Sequence, residues 1–312
     1  MNELQQLLAS AKNQVGYAET YDATGAVRHV HQKPAASVSR HSLRAMELPA
    51  FAVDPLRIIH TPLGTEAGKR TKLSDAVLAG SRVAAAGAHL IIVPTAAEPV
   101  AASNGELIFT RQETRFDVID PAEFAVVPDG DELTATALPV HRTLVDLETM
   151  PSLGFRVELS RRDQKAYADG ELADTALASI ALGLGRAVDA TLLSAIAATT
   201  PDAFSLGAAA ALGIEWSELR ALVGTSGSGG LIAPDGTLRA GWGPSTSGVL
   251  AELTPDTAAT ILGAFNRAAV AVSEDIALIA ERIDVNGQMA LTCWCNMSAL
   301  LPVPGAFWTV GA

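Results

Sequence analysis

Aromatic residues are scarce in this chain: Phe, Trp and Tyr make up 5% of its 312 residues. A large ring-lined pocket is therefore not expected, and an apolar share of 49% with frequent alanine favours helices and close backbone packing. Cysteine is nearly absent. Cys293 and Cys295, separated by one residue, are expected on opposite faces of one strand and poorly placed to bridge each other, so a reducing compartment suits the chain. No apolar run approaches the eighteen or so residues that suggest a membrane span, and the leading MNELQQLLASAKNQ lacks a basic region followed by an apolar one. Neither a membrane helix nor a signal peptide is expected. Lysine is missing from the whole stretch between Lys72 and Lys165.

What charge there is lies unevenly. Residues 1–72 hold nine Lys or Arg against six Asp or Glu, a balance of +3; the rest holds thirteen against twenty-eight, or −15, and the two sum to −12. An acidic body argues against tight binding to a phosphate backbone, which needs clustered Lys and Arg. The mildly basic leading part could lie on an acidic neighbour.

The strongest helical pattern is Ser160–Ala198. Ser160 is a candidate cap with Asp163 three residues later, close to a capping box. Leu177, Ile180, Leu184, Val188 and Leu192 then recur at three- and four-residue steps. Ala173, Ala176, Gly183, Ala187 and Ala190 make a second stripe, of small residues, where another backbone could come close. Gly170 can break the first turns, so the expected helix is 171–198, a spine of about 40 Å at 1.5 Å per residue.

Around the spine the chain reads as follows. Residues 1–90 look like an arm with small helices, one on Leu4, Leu7, Leu8 and Ala11, another on Leu73–Ala88 with Ser74 as its cap. His89–Pro94, Glu106–Val118, Glu123–Val127, Thr134–Glu148 and Phe155–Leu159 read as strands, with a turn at Pro128–Asp131 and Pro139 marking an edge. Ile214–Val223 and Thr254–Phe265 read as helices, the latter with Thr254 as cap and Pro255 at its first position. Arg267–Val272, Ile276–Arg282 and Gln288–Cys295 read as strands, with a hairpin at Asp284–Gly287.

Catalytic motifs fail on inspection. The Gly- and Ser-rich stretch Gly224–Leu250 has no Gly-Lys-Ser/Thr for a phosphate, and Ser226 and Ser228 lack the glycine offsets of a nucleophile elbow. His29, His31 and His41 lack a fourth ligand at a recognisable spacing, and Cys293-Trp294-Cys295 lacks a second cysteine pair. No catalysis, cofactor or metal is expected.

Two stretches carry a resemblance. FRVELSRRDQKAYADGELADTALASIALGLGRAVDATLL (155–193) is similar to the strand, Ser-led turn and spine helix of the Hong Kong 97-like major capsid proteins of tailed bacteriophages. GAFNRAAVAVSEDIALIAERIDVNGQMALTCWCNMSALLPVPGAFWTV (263–310) is similar to that family's terminal sheet and closing Pro…Ala-Phe. The resemblance implies an α+β fold with an N-terminal arm (1–92), an extended β-hairpin loop (93–150), a peripheral domain (151–198 and 266–312) and an axial domain (199–265). It implies a shell subunit that packs with itself as pentamers and hexamers around double-stranded DNA without reading its sequence. Scaffold, portal and decoration proteins are its possible partners. It places the chain in a virion, assembled in a bacterial cytoplasm and not in a membrane.

Some family members cross-link through a lysine of the extended loop. None is present here, so the contacts are expected to be non-covalent. With the sequence running from Met1, removal of an N-terminal segment is not expected. The charged residues flanking the spine are the expected subunit contacts: Arg142, Glu148, Arg156, Arg161, Arg162, Asp163, Asp169, Arg186 and Asp189. The alternatives are an encapsulin-type nanocompartment shell and, more remotely, a hydrolase or nucleotide-binding enzyme using residues 224–250.

Overall fold

The computed structural model describes residues 3–13, 17–21, 23–31, 37–42, 47–49, 70–95, 98–101, 107–110, 113–127, 129, 132, 135–166, 171–227, 237–238, 248–283 and 287–310. Its fold class is α+β, as expected. Helix α1 (Glu3–Asn13) buries Leu7, Leu8 and Ala11, the face its spacing predicts. A polar hairpin follows, β1 (Tyr17–Tyr21) with β2 (Val27–His31), then β3 (Ser37–Ser42), β4 (Glu47–Pro49) and β5 (Arg70–Lys72). The described parts of residues 1–72 are thus richer in strands than their sequence suggests. The side chains of His29, His31 and His41 lie outside the described residues.

The expected helix over Leu73–Ala88 is two pieces, α2 (Leu73–Gly80) and α3 (Arg82–Ala85). Ser74 is buried inside α2 and caps nothing; Ser81, at the break, caps α3 by accepting the Ala84 amide at 3.2 Å. Next come β6 (His89–Val93), the hairpin β7 (Glu98–Ala101) with β8 (Leu107–Thr110), and the hairpin β9 (Arg115–Ile119) with β10 (Val140–Leu144). Glu123–Val127 forms no strand, contrary to expectation. The chain then runs through β11 (Ser152–Leu159) and α4 (Arg161–Ala166) to the spine, α5 (Glu171–Ala198).

The spine has its expected bounds. Its predicted stripe, Leu177, Ile180, Leu184, Val188 and Leu192, is buried throughout, and each such side chain contributes about 2 kcal/mol. The segment Thr175–Ala198 is long and apolar enough to cross a bilayer by composition alone, but half of its most apolar window is buried against the protein's own core. The helix ends where Thr200 turns left-handed (φ 50°) ahead of Pro201. Close backbone approach occurs on a different stripe from the expected one. A Cβ at Gly185 would lie 2.9 Å from the Gly80 carbonyl carbon, whereas one at Gly183 would meet nothing.

Beyond the spine lie α6 (Leu206–Ala211), β12 (Arg220–Val223), β13 (Thr237–Leu238), β14 (Val249–Leu253), β15 (Thr260–Gly263), β16 (Ala269–Ser273), β17 (Asp275–Arg282), β18 (Met289–Leu300) and β19 (Phe307–Val310). Two expected helices are therefore corrected. Ile214–Val223 is a single 3-10 turn, Trp216–Glu218, followed by β12; Thr254–Phe265 is a turn followed by β15. Thr254 does cap, but it caps a turn, its Oγ1 accepting the Asp256 amide at 3.2 Å.

Two sheets organise the chain. In the first, β18 pairs along one side with β16 and β17 and on the other with β11, while β6 extends it beside β16 and β3 beside β17. The spine packs across β16 and β18, with α1, α2 and α3 around it. Strand alternation sorts the side chains. Val270, Val272, Cys293, Cys295 and Met297 join the large core beneath the spine, whereas Ala269, Ala271 and Leu300 join a small cluster with Val93, Met150 and Phe116. The two cysteines therefore share a face, correcting the opposite-face expectation. With one residue between them the two-residue period brings them round together, and Trp294 points the other way.

The second sheet has the order β13-β14-β12-β15-β19. The closing strand β19 belongs to it, so a boundary at residue 266 assigns this strand to the wrong sheet. Phe307 packs edge-on against Phe265 at 5.3 Å, and Gly263 permits it: a Cβ there would come within 2.5 Å of the Phe307 ring.

Candidate subunit-contact surface

Entry into the spine depends on a reciprocal cap. Ser160 Oγ accepts the Asp163 amide at 3.1 Å, while the Asp163 carboxylate accepts both the Ser160 hydroxyl and its amide, at 2.6 and 3.1 Å. The Ser160 bonds hold the Asp163 carboxyl below the usual carboxylate range. Arg161 and Arg162 stand exposed on the same turn and make no ion pair among the described residues.

Three of the expected contact arginines are engaged within the chain. Arg142 forks onto Asp117, its register partner across the β9–β10 hairpin, at 2.8 and 3.1 Å. That bond lowers the Asp117 pKa and raises that of Arg142. Arg156 reaches from edge strand β11 across β18 to Glu281 on β17 at 2.6 Å, with Glu158 at 3.3 Å, and the Glu281 bond raises its pKa. Arg186 on the spine meets Asp256 in the turn before β15 at 2.9 Å, which raises the arginine pKa in the same way. The outward parts of these side chains remain available to a partner.

Asp189 is a correction. It is 1% exposed, and its carboxylate is consumed inside the chain by the Ser81 hydroxyl at 2.6 Å and the Arg82 and Val83 amides at 3.0 Å each. It ties α3 to the spine and offers nothing to a neighbour. Glu148 is exposed in the turn after β10, its own amide bonded to Asp146. Asp169 lies outside the described residues.

Sequence reading missed Arg267, which is 11% exposed and joins two regions. Its guanidinium binds Asp120 at the end of the β9–β10 hairpin at 3.0 Å and Glu218 beside the second sheet at 3.3 Å. His141 also meets Asp120, at 3.0 Å. Sequence reading also missed the apolar surface. Phe124 and Val126 are 97% and 96% exposed on the extension of that hairpin, and Leu138 is 80% exposed on its return. The available signal was the strand-like sequence of Glu123–Val127 beside the turn at Pro128–Asp131.

The Gly-rich stretch shows no reactive arrangement among its described residues. The Ser226 hydroxyl donates to the Ala258 carbonyl, and Gly224 lets residues 257–259 pass so closely that a Cβ would come within 2.5 Å of two carbonyl oxygens. Ser228 lies outside the described residues. No group of three metal-ligating side chains gathers among those described. Both thiols are buried, and burial pushes Cys293 up to about 12 and Cys295 to about 11, far from a nucleophile at neutral pH.

No family model and no curated protein matches the chain. Solved structures do. The satellite phage P4 procapsid including its size determination protein matches at 11% identity over 76% of this chain and 96% of that one, with a TM-score of 0.45. The bacteriophage PhiM1 mature capsid matches at 11% identity over 73% and 86%, TM-score 0.41. The virus-like particle from Pyrococcus furiosus matches at 14% identity over 77% and 98%, TM-score 0.40. The likeness is one of fold, and it is partial.

Proposed function

We propose that this chain is the major capsid protein of a tailed bacteriophage, a shell subunit that packs non-covalently with copies of itself into an icosahedral container for double-stranded DNA. On this reading residues 1–92 are the arm and 93–150 the extended loop. Residues 151–198 and 266–306 form the peripheral domain, and 199–265 with β19 the axial domain. The observation that carries the proposal is the hairpin extension. Phe124, Val126 and Leu138 stand almost fully in water, which a free subunit gains nothing by and a neighbour's cover would explain. Supporting it are the spine laid across a sheet and the cap that leads into it from β11.

Many modest contacts per subunit suffice, because leaving a shell breaks them together. The surplus of acidic groups in residues 73–312 suits an inner wall that does not grip packaged DNA. The shell would sit in the virion after assembly in the host cytoplasm. Sedimentation of the purified chain, with negative-stain imaging of the fast fraction, tests the proposal. Closed particles of megadalton mass are expected, holding DNA when taken from infected cells. A cargo enzyme inside them would move the reading to a nanocompartment, and a small oligomer under all assembly conditions would overturn the shell.

A further inference from the structure

We infer that Phe124 of one copy seats in an apolar pocket between α5 and β11 of a second copy; the inference rests on the shell reading and names the contact that reading leaves open. The pocket measures about 240 Å³ and opens to solvent. Ile180, Gly183 and Ala187 of the spine form one wall, Phe155 of β11 the other, and Cys293 and Cys295 the floor. None of these residues carries a charge. Gly183 keeps its lip open, since a Cβ there would meet no atom within 4 Å. The space admits a phenyl ring, and in a chain with eight phenylalanines one that is 97% exposed is an anchor without a socket.

Residues 121–127 supply the rest of the complement. Glu123–Val127 within them has the composition of a strand, yet they pair with no strand among the described residues. Between Arg115 and Arg142 the chain has six Asp or Glu and no Lys or Arg. Past the far end of β11, about 20 Å along the strand from Phe155, α4 presents Arg161, Arg162 and Lys165, all exposed and within reach of so long a loop. An acidic loop approaching a basic turn sets the orientation in which the ring can enter.

The chain's own loop does not fill its own pocket. Phe116, at the hairpin's root, packs in the small cluster on the sheet face turned away from the spine, whereas the cysteines face the spine. Four residues before Phe124, Asp120 is held by Arg267. Arg267 stands two residues before Ala269, whose partner on β18 is Leu300. From Leu300 to Cys293 is about 23 Å along the strand, while four residues reach at most about 14 Å. A second copy is the occupant.

The test is a cross-link. With Cys293 and Cys295 first replaced by serine, Phe124→Cys combined with Gly183→Cys should give, in assembled particles under mild oxidation, a disulfide joining different chains in most subunits. Neither single variant should give that yield. Particles that assemble without the cross-link overturn the inference while leaving the shell intact; wild-type chain that never forms particles overturns the shell instead. If the double variant fails to assemble, Ser179→Cys, on the exposed rim, takes its place. Its reaction with a bulky maleimide should slow at least tenfold in particles relative to free subunits, and regain the free rate when Phe124→Ala is added. Equal rates in particles and free subunits would count against the seat.

Discussion

Ser81 donates its hydroxyl hydrogen to the Asp189 carboxylate at 2.6 Å, although 108 residues separate them. The same carboxylate takes two backbone amides of α3, so one buried side chain on the spine both caps a short helix and fixes its break from α2. Asp189→Ala should leave three donors in a dry site. At about 1–3 kcal/mol for each uncompensated group, with partial relaxation, a loss of about 2–4 kcal/mol is expected in chemical denaturation. A loss below about 1 kcal/mol would mean that water replaces the carboxylate.

The same group sets a pH dependence. Burial raises the Asp189 pKa, and its three hydrogen bonds oppose this without cancelling it. A carboxyl whose folded pKa exceeds its unfolded value holds its proton more tightly in the folded chain. Its contribution to stability is therefore greatest at low pH and declines as pH rises from the ordinary 3.8 through the raised value, then stays level. Asp189→Asn should remove that decline. Stability curves of wild type and variant that run parallel across acid pH would show that another group is responsible.

Gly183 and Gly185 give a paired expectation on one helix. Alanine at Gly185 drives a methyl to within 2.9 Å of the Gly80 backbone and 3.2 Å of the Val77 carbonyl oxygen, so α2 must shift, at about 1–3 kcal/mol. Alanine at Gly183 meets nothing and gains helix propensity, up to about 1 kcal/mol. Thermal melts should therefore move in opposite directions. Equal shifts would mean that α2 does not lie against the spine as described.

The contrast between these glycines also marks what was legible in the sequence. The spine, its cap at Ser160 and the strands of the terminal sheet announce themselves through local periodicity and side chains that bond within four residues. Which small stripe meets another backbone depends on α2, a hundred residues earlier, and is not encoded locally. The run before Val223 and the run before Phe265 hide their period because both end in strands whose apolar residues are all buried, β12 being flanked by β14 and β15. A short apolar run buried on all sides has no polar face to reveal its period. β3 is polar and becomes a strand only because β17 offers it an edge. Among the candidate contacts, charge near the spine was easy to see, but whether a charge faces outward was not: Asp189 and Arg186 are three residues apart, and only one reaches water.

Arg267 should govern the posture of the extended hairpin. Arg267→Ala removes bonds to Asp120 and Glu218, each worth about 1–3 kcal/mol when charge-assisted, and leaves Asp120 with His141 alone among the described residues. The expected result is a loss of about 2 kcal/mol in stability and faster proteolytic cleavage between residues 120 and 139. Unchanged cleavage would mean that the Arg142–Asp117 fork holds the hairpin without help.

Charge reversal at the spine's entrance separates folding from assembly. Arg162 is exposed and pairs with no carboxylate among the described residues, so Arg162→Glu should alter monomer stability by no more than about 0.5 kcal/mol. If α4 receives a neighbour's acidic loop, the same change sets like charges together and should greatly reduce closed particles in sedimentation. Raising ionic strength to about 1 M, where screening acts within about 3 Å, should restore part of the yield. Arg186→Glu is not an equivalent probe. It confronts Asp256, whose side chain is 8% exposed, and so should cost about 1 kcal/mol within the subunit before any neighbour is met. Normal particles from Arg162→Glu, with its fold intact, would show that the basic turn is a solvated surface. The loop would then have to be seated by its apolar residues alone.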